Sequence, residues 1–140
     1  MKFSGAILCD AATVREGLLH ILGGGLNVLD RRAFPAPLGA ELALLARLER
    51  SSTGELIDTE SSIRVLISKA EGNKERVAEV RADFKVENDP GSFGAVAPLV
   101  FPISDVAIPE PGQYQLEVLT GDAREVLYFT ARHLPEEPAL

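Results

Sequence analysis

Turn-forming residues recur about every ten positions along this chain, and the runs between them are short and either apolar or alternating. A side-chain period of two with that turn spacing points to an all-β sandwich or barrel. The alternation is clearest over 58–69, where Ile63, Val65 and Ile67 alternate with Arg64, Leu66 and Ser68. Glu71-Gly72-Asn73 then reverses the chain into 76–86, with Val80, Ala82, Phe84 and Val86 assigned to the core face and Arg81, Asp83 and Lys85 to water. Together the two segments predict a hairpin.

Further strands are predicted at 5–9, 18–22, 26–29, 40–48, 97–103, 113–119 and 125–132, which makes about eight or nine. Gly23-Gly24-Gly25 supplies the positive φ of a tight turn and predicts that 18–22 and 26–29 pair as a hairpin. The segment 40–48 carries Leu42, Leu44, Ala46 and Leu48 on one strand face, although its Ala, Leu, Glu and Arg content also suits a helix; strand is the reading its context favours. Pro98 and Pro102 assign 97–103 to a sheet edge or a bulge, because proline cannot donate to a ladder. Asn88-Asp89-Pro90-Gly91 and Thr120-Gly121-Asp122 read as turns.

One motif speaks to the type of sandwich. In Pro109-Glu110-Pro111-Gly112-Gln113-Tyr114 a proline-glycine turn enters a strand where Tyr114, Leu116 and Val118 alternate with Gln113, Gln115 and Glu117. In immunoglobulin-type domains a tyrosine at such a corner packs inward and its hydroxyl bonds back to the corner backbone. The expected fold is a single-domain antiparallel β-sandwich over 1–133, immunoglobulin-like or C2-like, with a short flexible tail over 134–140.

Charge and cysteine usage narrow the partners. With a formal charge of −7 and basic residues dispersed along the chain, nucleic acid and anionic membrane are poor partners, since both need a basic surface. No run approaches the ~20 apolar residues of a membrane span, and the apolar stretch before Cys9 is too short, with Leu8 too large at the cleavage position, for a lipoprotein signal. A lone Cys9 forms no internal disulfide, so a cytoplasmic location is expected.

Few residues invite chemistry. Gly23-Gly24-Gly25 after His20 has the look of an esterase oxyanion loop, but no Gly-x-Ser-x-Gly elbow accompanies it, and it lacks the motifs of a P-loop or a dinucleotide site. Cys9, His20 and His133 are far apart in sequence and lack zinc-ligand spacing; Cys9 reads as a small buried hydrophobe and His20 as a satisfied or solvent-facing residue. Asp30, Asp58, Asp89, Asp105 and Asp122 are the candidates for a C2-like calcium site, yet none belongs to a dense Asp-x-Asp cluster. Glu55, Asp58 and Glu60, or Glu75 and Glu79, could be paired on paper as acid and base, but charges on exposed strand faces need no catalytic explanation. No catalytic, cofactor-binding or metal-binding residue is assigned, and no cofactor is expected.

Taken in order, Leu8-Cys9-Asp10-Ala11-Ala12, Gly17-Leu18-Leu19-His20-Ile21-Leu22-Gly23-Gly24-Gly25, Phe34-Pro35, Phe101-Pro102 and Pro111-Gly112-Gln113-Tyr114 form a pattern covering most of the chain. It resembles a widespread family of small uncharacterised bacterial proteins. That resemblance implies a β fold and a bacterial cytosolic origin, and it carries over no activity. The function expected is a non-enzymatic binding or assembly module, acting on a protein partner or as a homo-oligomer; the alternative is a small-ligand, calcium or lipid-surface module of C2-like type.

Overall fold

The computed structural model describes residues 1–57, 59–86 and 95–135. These form twelve strands and no helix: β1 (Lys2–Cys9), β2 (Ala11–Arg15), β3 (Leu18–Leu22), β4 (Val28–Arg31), β5 (Ala36–Pro37), β6 (Glu41–Leu48), β7 (Glu60–Lys69), β8 (Arg76–Lys85), β9 (Ala95–Phe101), β10 (Ala107–Ile108), β11 (Gly112–Thr120) and β12 (Ala123–His133). A five-stranded sheet runs in the order β4-β12-β11-β7-β8, and a three-stranded sheet in the order β1-β6-β9. Two two-stranded pieces, β10-β5 and β2-β3, complete the chain.

The two larger sheets share one core. Leu42, Leu44 and Phe101 from the smaller sheet lie in the same buried cluster as Ile63, Val65, Ile67, Leu116 and Val118 from the larger, so the arrangement is sandwich-like. Inward positions follow the alternation read from sequence, most plainly on β11, where Tyr114, Leu116, Val118 and Thr120 are buried in turn. β6 is a strand because both its edges are occupied, by β1 and by β9, and its burial exceeds one face: Ala43 is enclosed as well as Leu42 and Leu44. Tertiary pairing overrides helix propensity there.

Tyr114 behaves as its motif predicts. Its hydroxyl donates to the Glu110 carbonyl at 2.6 Å, and its ring stacks on Phe129 with centroids 5.2 Å apart. Burial of the phenol pushes its pKa up. The bond leaves the hydroxyl satisfied inside an apolar core, which is what allows a tyrosine to be enclosed there.

Several expectations change. Twelve strands replace eight or nine because β5 and β10 are two-residue pieces and because β2 is a strand where the sequence predicts none. β3 pairs with β2, not with the segment after the glycines, and β4 crosses to the far sheet to run parallel with β12, so the fold is not wholly antiparallel. On β8, Ala82 is exposed and Val80 and Phe84 are half-buried, because among the described residues this strand ends the sheet with β7 as its one neighbour. The turn expected at 88–91 lies outside the described residues, as do 136–140 of the expected tail; the Leu134 N–H donates to the Arg31 carbonyl at 2.7 Å.

Candidate functional site

The candidate site is the hairpin formed by β2 and β3. Its turn is the two residues Glu16 and Gly17, with φ of 53° and 72°, and Arg15 pairs with Leu18 on either side. Positive φ at both central positions is the primed geometry whose twist matches a tight hairpin. At the other end, the root is fixed by glycine. Asp10 N–H donates to the carbonyls of Leu22 and Gly23, and the amides of Gly25 and Leu26 both donate to the Leu8 carbonyl. Gly23 has a φ of 62°, and a Cβ there would stand 2.4 Å from Asp10 Oδ2. The three glycines therefore form a root that lets the hairpin leave the end of β1, which is why they do not join two strands.

Its amino-acid content is unusual for a surface. Leu18 is 63% and Leu22 71% exposed, and Val14 and Ile21 are exposed as well. Four of the eight large apolar side chains exposed among the described residues thus fall within twelve positions. Strand alternation divides them: Leu18, His20 and Leu22 share one face with Ala11 and Thr13, while Val14, Leu19 and Ile21 share the other with Ala12. The arm touches the body through β2, which lies against β6 and β9, and through β3, which also approaches β9; the Ala12 N–H donates to Glu41 Oε2 at 2.8 Å. A groove of about 440 Å³ is lined by Ala11, Thr13, His20, Leu22 and their neighbours on the two strands. Arg15 and Glu16 are the charged residues of the arm, which is therefore neutral in a chain of −7.

Elsewhere the groups singled out in the sequence find ordinary partners. Cys9 is fully buried, and its thiol donates to the Glu41 carbonyl at 3.4 Å. Burial, with the carboxylates of Glu41 and Asp10 adding to it, pushes that thiol up, away from a reactive thiolate. His20 is exposed on the arm and His133 lies at the end of β12, its ring 6.5 Å from Phe34. Among the described residues no group of three or more His, Cys, Asp or Glu could hold a metal ion.

Among the described residues, Asp30 and Asp122 do not converge. Asp30 sits on β4 beside Arg132 near the end of β12, whereas Asp122 immediately precedes the start of that eleven-residue strand. At about 3.3 Å per residue the two are roughly 30 Å apart along the strand. Asp30 is clasped by Arg132, with Nε to Oδ1 at 2.9 Å and Nη2 to Oδ2 at 3.1 Å, and that hydrogen bonding holds its carboxyl below the usual range. Asp105 is exposed in the segment before β10, and Asp58 and Asp89 lie outside the described residues. The paired glutamates are engaged too: Glu60 with Lys85 at 3.5 Å, Glu75 with Lys69 at 3.7 Å, and Glu79 with Arg64 at 2.9 Å.

A model described as a family of unknown function (DUF6941) matches residues 4–128. The chain belongs to that family. The match spans both sheets and the arm, so β2, β3 and their glycine root lie within the extent of DUF6941. No curated protein matches the chain. No helix among the described residues is long and apolar enough to cross a membrane.

Proposed function

We propose that this DUF6941 chain is a non-enzymatic binding and assembly module whose β2–β3 arm is its docking element. The observation that carries the reading is the concentration of exposed Leu18, Leu22, Val14 and Ile21 on a neutral hairpin outside the shared core. An exposed apolar surface of this kind marks an interaction site, because burying each leucine is worth about 1.5–3 kcal/mol. The non-enzymatic part is supported by Glu60, Glu75 and Glu79 each facing a cation and by Cys9 being enclosed. We read the body as an immunoglobulin-type sandwich on the strength of the Tyr114 corner, and place the module in the cytoplasm on its lone, unpaired cysteine.

The test compares the wild type with the Leu18→Asp/Leu22→Asp variant, both tagged, in lysate of the native host. Two leucines supply about 3 kcal/mol, so the variant should hold its stoichiometric partner, or a second copy, roughly 100-fold more weakly while melting at the same temperature. Equal retention by both proteins would refute the arm as the docking element.

A further inference from the structure

We infer that the arm's partner is a second copy of this chain, joined by antiparallel pairing of β3 with its twin about a two-fold axis through His20; this rests on the arm being the docking element. The argument begins with the direction of the backbone groups. In a two-residue hairpin the residues flanking the turn form a hydrogen-bonded pair, and such pairs alternate along the ladder. Arg15–Leu18, Thr13–His20 and Ala11–Leu22 are then the bonded pairs. The Leu22 carbonyl accepting from Asp10, on the same side as β2, fits that phase. Leu19 and Ile21 consequently turn their N–H and C=O groups outward, and among the described residues no strand but β2 pairs with β3.

The sequence of β3 is apolar-symmetric: Leu18 and Leu22, then Leu19 and Ile21, flank a central His20. Antiparallel pairing about His20 sets Leu19 opposite the partner's Ile21, each such pair exchanging both backbone bonds, while His20 meets its twin at a non-bonded position. Leu18 then lies beside the partner's Leu22 on one face. Every apolar residue meets an apolar one, which is what an isologous two-fold contact requires. Charge favours the same occupant. Two chains of −7 repel generally, but the neutral arm is a surface across which like-charged copies can approach. An arm of twelve residues falls short of the 20–30 a side of a standard interface, so the dimer is expected to be weak and concentration-dependent, with a Kd of roughly micromolar order.

The test joins light scattering across a dilution series with disulfide trapping. In the two-fold pairing, His20→Cys places two Cα atoms about 4.5 Å apart, within reach of a disulfide, whereas Thr13→Cys on β2 leaves its twins about 14 Å apart, three strand spacings away. Cys9 is buried and does not compete. The expected result is a dimer that dissociates on dilution, with His20→Cys cross-linking at least ten times faster than Thr13→Cys and the Leu22→Asp variant monomeric. A monomer at every concentration, with both cysteines equally slow, overturns the inference. If that monomer still retains a host protein that Leu22→Asp loses, self-pairing fails and the docking arm survives; if retention is insensitive to Leu22→Asp, both fail.

Discussion

Among the described residues β8 and β3 both present an open strand edge, and they are finished in opposite ways. On β8 the outward side chains are charged and laced to β7: Arg64 with Glu79, Lys85 with Glu60, and the Ser62 hydroxyl bonded to Asp83, which Arg81 also approaches. Such an edge repels further strands, since a newcomer must desolvate a row of ions. β3 offers leucine, leucine, isoleucine and leucine with one histidine. The other edges among the described residues are finished less uniformly, and β1, an outer strand of the smaller sheet, is largely apolar after Lys2. β4 is four residues long and carries the Asp30–Arg132 pair, and β9 carries Pro98. What sets β3 apart is that its apolar side chains stand in solvent, Leu18 and Leu22 above all, and an apolar edge of that kind is a hazard unless covered, which is the physical basis of the proposed docking arm.

The contrast can be broken from the β8 side. Replacing Arg81 and Asp83 with valine removes two of the strand's four outward charges, and the variant should associate beyond a dimer, giving a larger rise in apparent molar mass than any change made on the arm. Light scattering at matched concentrations checks this; a mass unchanged from the wild type would mean that charge is not what keeps β8 unpaired.

A smaller effect should come from the root of the arm. Gly23→Ala demands a Cβ against Asp10 at a φ of 62°, which should cost about 1–2 kcal/mol. The loss should be local, read as faster amide exchange at Asp10 and Gly25 with the core strands unchanged. Uniform acceleration throughout the sandwich would show instead that arm and body unfold as one unit.

How much of the structure is legible in the sequence differs between the two regions for the same physical reason. β7, β8 and β11 can be read because each alternates apolar with polar residues, and the Tyr114 corner because proline, glycine and tyrosine have fixed roles there. The segment 18–22 reads as a strand, but a run that is apolar except for His20 fits a strand buried on both faces as well, so nothing local announces that Leu18 and Leu22 face solvent. β2 is hidden because its turn is Glu16-Gly17, with glutamate at a positive φ where asparagine, aspartate or glycine is usual. The glycine triplet offers a more conventional turn and points the pairing to the wrong partner. Exposure of the arm is set by long-range topology, through the Leu8 carbonyl that receives Gly25 and Leu26.

The smallest effect belongs to the guarded β4 edge. Asp30 is held below its ordinary pKa by Arg132, so its contribution to stability is fully present above the unfolded-state value, near pH 4, and is lost as pH falls through the lowered folded value. Asp30→Asn should therefore lower the urea midpoint slightly at pH 7 and leave it unchanged in acid below the lowered folded value. A difference that persists in acid would assign Asp30 a role other than its ion pair.

The most direct measurement for the arm is amide hydrogen exchange at Leu19 and Ile21, resolved by residue, in concentrated and in dilute protein. Self-pairing of β3 predicts that both amides are protected when concentrated and exchange freely on dilution, while the amides of β7 and β11 are unaffected. Rapid exchange at Leu19 and Ile21 in both samples would contradict it and leave the outward face of β3 without a second copy.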